Sequence, residues 1–258
     1  MPFNVGGYIW NGAMASVHDY RSIITRGLVM NLDASAPGSY PESGTTWSDL
    51  SGNNLNGTLT NGPTFDSGNG GSIVFDGSND YISVDNTTDL RISNPGSATI
   101  GVWILIDNAS DINGIIGPWS STGNAGWGIT GGYPSSALSM IVDDSGDSSG
   151  HWVGQNTPKV TLSADGKFHY VVVTAIRNGV GSNATVSHYL DGIFYNSITF
   201  SLENGAAAWG AAGQDFLIGK LGGNYLDGKV STAYMYNRIL TSTEIKHNFN
   251  VQRHRFGV

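Results

Sequence analysis

Two stretches constrain this chain more than any others: TIGVWILI, from Thr99 to Ile106, and FHYVVVTAI, from Phe168 to Ile176. Side chains of an extended segment alternate between faces. Ile100, Val102, Ile104 and Ile106 therefore share one side of the first stretch, and Gly101, Trp103 and Leu105 the other. Phe168, Tyr170, Val172, Thr174 and Ile176 alternate in the same manner with His169, Val171, Val173 and Ala175. A strand that is apolar on both faces must be covered on both, so two strands should cross the middle of a layered β structure. From Gly27 onward, GLVMNLD, GTLT, GSIVFD, YISV, ALSMIV, ATVSHYL, IFYNSITF, FLIG and KVSTAYMY follow the same rhythm, separated by Gly, Asn, Asp and Ser. This spacing predicts an all-β sandwich or jelly roll, and 258 residues suffice for one such domain with a full core.

Local chemistry places two further features. Asp191-Gly192, between SHYL and IFYNSITF, carries the residue types of a two-residue type I′ hairpin, in which both turn positions need positive φ. Thr241 followed by Glu244 is a capping box, and Ile245 with Phe249 gives an apolar i,i+4 stripe, which predicts one short helix that docks on the sandwich.

Only 12% of residues are charged and the net charge is −8, so a basic face for phosphate backbones is not expected and nucleic acid is not a predicted partner. There is no cysteine, which excludes a disulfide framework and thiolate metal sites. The first twenty residues, MPFNVGGYIWNGAMASVHDY, hold no Lys or Arg and no continuous apolar core, so no secretory signal is read there. No window approaches the ~18 apolar residues of a membrane span. A soluble protein made in the cytoplasm of the expressing cell is expected, with no membrane insertion.

The ends depart from the β rhythm. Residues 1–26 hold Phe3, Tyr8, Trp10 and Tyr20 among small residues. Such side chains need a surface, either the chain's own sheet or, if the segment is an assembly arm, a neighbour. Residues 251–258 bring Arg253 and Arg255 close to Lys246 and raise the same choice between a solvated tail and an assembly contact.

GLVMNLDAS, TTWSDLSGNNLNGTLTNGPTF, SIVFDGSNDYISV, TIGVWILI, DGKFHYVVVTAI, SHYLDGIFYNS and LDGKVSTAYMYNRILTSTEIKHNF occur in that order over residues 27–250. Together they resemble the laminin-G-like, concanavalin A-like jelly-roll domains of bacterial and phage proteins. With ITRGLVMNLDAS before and NRILTSTEIKHNFNVQRHRFGV after, the chain is most similar to lectin-like domains of tailed-phage virion proteins. That resemblance implies a non-enzymatic structural and recognition protein on the virion surface, as a tail or neck component or a capsid decoration. It would be present as a homo-oligomer or in many copies, with other virion proteins and host-surface polysaccharide as partners. A tail-fibre adhesin and a glycan hydrolase are the alternatives.

Hydrolysis of glycosides needs two carboxylates at a set separation. The three glutamates, Glu42, Glu203 and Glu244, form no E-x-D-x-x-E arrangement of the kind that concanavalin A-like glucanases carry, so no catalytic residue is assigned. His18, His151, His169, His188, His247 and His254 show no H-x-H or HExxH spacing. His169 and His188, on predicted strands, read as packing or surface residues. Asp76 and Asp80 in VFDGSNDYISV read as turn corners between two strands. The resemblance raises Ca²⁺ as a candidate cofactor, with Asp49 and the Asp143, Asp144 and Asp147 loop as oxygen donors. Against it, Ser231 and Thr232 stand where many relatives carry acidic residues, so no metal is assigned. A carbohydrate face needs exposed rings beside amides and hydroxyls. Trp119, Trp127, Tyr133 and Trp152 are the candidates for that face, while packing of Trp127 and Trp152 against the sheet is the competing reading. Trp103 is assigned to the core.

Overall fold

The computed structural model describes residues 22–85, 88–93, 95–108, 114–118, 126–131, 137–143, 152–153, 160–179, 182–201, 208–210 and 215–258, with backbone only at 137, 143, 152, 153 and 208. In chain order its sheet strands are β1 (Leu28–Asp33), β2 (Thr46–Trp47), β3 (Gly57–Thr60), β4 (Thr64–Asp66), β5 (Ser72–Asp76), β6 (Tyr81–Val84), β7 (Gly96–Ile106) and β8 (Ile116–Gly117). There follow β9 (Trp127–Thr130), β10 (Ala137–Asp143), β11 (Trp152–Val153), β12 (His169–Arg177), β13 (Asn183–Leu190), β14 (Ile193–Ser201), β15 (Phe216–Ile218) and β16 (Asp227–Tyr236), then helix α1 (Ser242–Gln252). One sheet has the order β14-β13-β12-β7-β16-β5-β4, with β1 also paired to β16; the other has β11-β10-β9-β8-β15-β6-β3-β2, with the two-residue strand Val160–Thr161 also paired to β10. The pairings are antiparallel, and the two sheets enclose one apolar core, as expected of a jelly-roll sandwich.

The two diagnostic strands lie side by side in the first sheet, with Val171 opposite Val102 and Val173 opposite Ile100. Ile100, Val102, Ile104 and Ile106 face the second sheet together with Val171, Val173 and Ala175. The opposite faces meet something else. Trp103, Leu105, Tyr170, Val172, Tyr234 and Tyr236 form a second core with Ile24, Ile245 and Phe256. Helix α1 and the segment leading into β1 thus cover the outer face of the sheet, which is why β7 and β12 are apolar on both sides.

The polar groups of Tyr236, Asn248 and Trp103 inside this second core are paired. The Tyr236 hydroxyl donates to the Ile24 carbonyl at 2.6 Å, and Asn248 accepts from the Ile24 N–H at 2.9 Å while donating to the Tyr236 oxygen at 3.1 Å. Trp103 Nε1 donates to Gln252 Oε1 at 2.9 Å. The chain remains integral to the fold beyond residue 250: α1 extends to Gln252, and the Phe256 ring stacks 4.1 Å from that of Trp103. A boundary at residue 251 therefore cuts the helix, and the last residues are no solvated tail.

Candidate functional site

The hairpin between β13 and β14 turns as its Asp-Gly pair predicts: Asp191 has φ 51° and Gly192 φ 76°, and Leu190 pairs with Ile193. Asp191 also anchors the turn. Its carboxylate accepts from the Tyr170 N–H at 2.9 Å and lies 3.0 Å from His169 Nδ1, and this bond holds the imidazole above its usual pKa. The missing side chain of Gly192 matters too, since a Cβ there would lie 3.0 Å from Phe249 Cβ on α1. Helix and hairpin consequently approach closely.

The helix is set by its first turn. Thr241 and Glu244 form the reciprocal capping box, and Glu244 holds both terminal nitrogens of Arg238, at 2.6 and 2.9 Å. That pairing pulls the Glu244 carboxyl down to about 2. With the helix fixed, Ser242, Lys246 and Asn250, spaced by four, line one side of a groove of about 620 Å³, and Ile193 and Phe194 line the other. Phe194 is 52% exposed and rests edge-on against Tyr189 at 5.5 Å. Glu244 is turned to Arg238, and no carboxylate is among the groove's lining residues. Lys246, with its side chain exposed, makes no ion pair among the described residues. His247, at the groove's margin, meets the Ser22 carbonyl at 2.9 Å. An aromatic face, an amide, a hydroxyl and a cation thus surround one open channel, a set that can stack on a sugar ring and hydrogen-bond its hydroxyls.

The sequence-predicted aromatic face fares differently. Trp127 is fully buried, T-shaped against Phe216 at 5.7 Å between the sheets. This corrects its assignment as a sugar platform, because a side chain with no accessible surface cannot stack on a ligand. Trp152 lies on β11 opposite Asp143, with its side chain outside the described residues. Trp119 and Tyr133 also lie outside them, as do Phe3, Tyr8, Trp10 and Tyr20. Arg253 is exposed, its guanidinium 5.8 Å from the Phe249 ring. Arg255 is not a free assembly contact. It pairs with Asp33 at 3.1 Å and donates to the Ser231 hydroxyl at 2.7 Å, so it ties the last turn of the chain to the end of β1.

Asp49, Asp76 and Asp80 prove to be structural. Asp49 accepts from the N–H groups of Asn31, Ser51 and Leu55 and from the Ser51 hydroxyl, which leaves its carboxylate committed to its own turn. Ser231 donates to the Gly71 carbonyl. Among the described residues no group of three or more His, Cys, Asp or Glu is placed to hold a metal. The side chain of Asp143, and Asp144 and Asp147, lie outside the described residues. Asp76 and Asp80 sit at the crossing from β5 in one sheet to β6 in the other. Asp76 Oδ1 accepts from the N–H groups of Ser78 and Asn79, which lowers its pKa, and Asp80 accepts from the Asp76 N–H at 3.2 Å. Burial, reinforced by the Asp76 charge, raises the Asp80 pKa. The pair forms the corners of a turn.

Phe194, Lys246 and Asn250 were not singled out by pattern. A usable signal was present in IFY after Asp-Gly, because three consecutive apolar residues of one strand cannot all face a core. The helical face of Ser242, Lys246 and Asn250 carries no such signal, since a polar stripe on a surface helix is ordinary.

No curated protein matches the chain by sequence. Among solved structures it is similar to the binding domain of Paraclostridial Mosquitocidal Protein 1, with a TM-score of 0.61 and 20% identity over 88% of this chain and 52% of that one. Domain 4 of AbnA, a GH43 extracellular arabinanase from Geobacillus stearothermophilus solved with arabinotriose, has a TM-score of 0.59 and 16% identity over 85% and 96% of the two chains. Botulinum neurotoxin type C, whose cell entry depends on two ganglioside molecules, has a TM-score of 0.59 and 16% identity over 89% and 52%. The chain spans about half the length of the toxin structures, and at these identities the likeness is one of fold. The family model for the concanavalin A-like lectin/glucanases superfamily matches residues 76–246, which run from the crossing turn to the middle of α1. The chain belongs to that superfamily.

Proposed function

We propose that this chain is a non-enzymatic recognition module that binds saccharides of a cell surface in the groove between α1 and the β13–β14 hairpin. The observation that carries the reading is Phe194, an exposed ring beside Asn250, Ser242 and Lys246, which makes no ion pair among the described residues. Phe194 stacks on the apolar face of a sugar ring, Asn250 and Ser242 bond its hydroxyls, and Lys246 favours glycans that bear acidic groups. Structural neighbours whose names include an arabinotriose complex and a ganglioside-dependent toxin support a ligand-binding use of the sandwich. Titration of surface polysaccharide fragments into the protein tests this. Phe194→Ala and Lys246→Ala should each weaken binding about tenfold or more. Unchanged affinity in both variants, with intact melting curves, overturns the groove as the site. Loss of affinity only on replacing Trp119, Tyr133 or Trp152 moves the site to those loops.

The same module is proposed to be displayed on a bacteriophage particle, a reading supported by the resemblance of the flanks around residues 27–250. Phe3, Tyr8, Trp10 and Tyr20 would supply its contacts with other virion proteins, and repetition on a particle would raise weak single-site affinity to useful avidity. A reconstruction of purified particles that contains this chain supports the placement. Particles without it refute the placement and leave the groove reading intact.

A further inference from the structure

A histidine buried between two sheets is tolerated when both ring nitrogens find partners, and a given pair of partners suits only one protonation state. His188 on β13 is such a residue, 1% exposed on the face that carries Ala184 and Val186 into the core between the sheets. Its Nε2 accepts from the Met140 N–H on β10 of the second sheet at 3.4 Å. The one proton of the neutral ring therefore sits on Nδ1, which donates to Asn196 Oδ1 on β14 at 2.8 Å. The backbone prepares both contacts. His188 pairs with Asn196 and Tyr189 with Phe194, so β14 bulges at Tyr195, and this extra residue sets Asn196 opposite His188. β10 pairs with β11 at Val142 and Asp143 and with the Val160–Thr161 strand at Ala137 and Leu138. Met140 stands between these two short partners, where the imidazole of the other sheet takes its N–H.

This arrangement accepts only the neutral ring. A proton added at Nε2 turns the acceptor into a donor that faces the Met140 N–H, and it places a charge in an apolar layer. The titratable groups of the surrounding strands are turned elsewhere: Tyr170 and Tyr189 to the outer core, Arg177 to Trp209, His169 to Asp191 and Tyr195 to solvent. Among the described residues no carboxylate is placed to compensate the charge, and burial holds the imidazole below its usual pKa against the opposing pull of Asn196.

We propose that His188 is an acid-sensitive latch: a proton taken up from solvent at Nε2 breaks the bond to the Met140 N–H, and the β13–β14 hairpin then parts from β10 of the second sheet. The sign follows from the ring's preference for its neutral form. The bond contributes fully above the usual 6.5 of histidine and is lost as pH falls below it, because the open form binds the proton more tightly. His169 acts in the opposite sense, since its bond to Asp191 favours the charged ring, so global stability mixes the two and a local readout is needed.

Amide hydrogen exchange of the full chain, followed residue by residue between about pH 7.5 and pH 5 and divided by the intrinsic rate at each pH, is the test. The opening constant of Met140 and of the β13 and β14 amides should rise by up to about tenfold for each unit below 6.5, while the amides of β7 stay level. Glutamine offers one acceptor and one donor without titrating, so His188→Gln should abolish the rise. If that variant fails to fold, nitrogen spectra of the parent's imidazoles decide: His188 should be a neutral Nδ1–H ring at pH 7.5 and take up its proton only as Met140 opens. A level opening constant in the parent, the same rise in a folded His188→Gln chain, or protonation of the ring without opening would overturn the latch. The hairpin also carries Ile193 and Phe194 on one wall of the groove, so affinity for polysaccharide fragments should fall together with Met140 protection. That last expectation rests on the proposed function, and fragments that fail to bind at pH 7.5 refute the groove while the exchange data still judge the latch.

Discussion

Glu244 shows how one side chain fixes an element. Its carboxylate accepts from two Arg238 nitrogens and from the Thr241 N–H, and the first of these pairings is the largest cause of its fall from 4.5 to about 2. A shift of this size corresponds to at most about 3 kcal/mol, and roughly 2 kcal/mol after allowance for the water that reaches the pair. Because the folded pKa is depressed, this stability is present above the unfolded value and is lost as pH falls from 4.5 towards 2. Glu244→Gln should therefore cost about 2 kcal/mol near neutrality, and its melting curve should converge on that of the parent in strong acid. A constant difference across that range would assign the effect to helix propensity instead. At this scale sequence is a poor guide to exposure. Trp127 stands between two glycines and Phe194 between Ile193 and Tyr195, yet the first is sealed between sheets and the second lies open beside α1. Which way a ring points in a short strand depends on register with remote partners, and those partners are not encoded nearby.

The C-terminal helix and hairpin were legible because each is specified within a few residues, by a capping box in one case and an Asp-Gly pair in the other. The docking of the final turn was not. Phe256 stacks on Trp103, more than 150 positions away in sequence, and nothing in RHRFGV itself distinguishes a solvated tail from a docked one. Phe256→Ala should cost about 3 kcal/mol, at the lower end for a buried phenylalanine because this one sits at the margin of its cluster. Water admitted to Trp103 should also shift tryptophan emission to the red. An unchanged spectrum with unchanged stability would mean that the terminal turn is dispensable.

For the molecule as a whole, two strands with two apolar faces were enough to foretell a sandwich with something laid over its back, and β7 beside β12 beneath α1 is that arrangement. The order of the remaining strands could not be read, since neighbours such as β1 and β16 are separated by most of the chain. Their pairing has a mechanical meaning. Leu28 lies opposite Tyr236, so the chain enters β1 and leaves β16 at the same end of their ladder. Tension that draws these ends apart meets the pairs one after another, as a zipper does, instead of shearing them together. Ahead of the zipper stands the clasp of Ile24 with Asn248 and Tyr236, and of Arg255 with Asp33. Pulling between handles at residue 22 and Val258 should give an early, low-force release of the helical segment, at still lower force in Arg255→Ala. A single high-force event would contradict it. Under tension applied at both ends this domain yields first at its back, before either sheet opens.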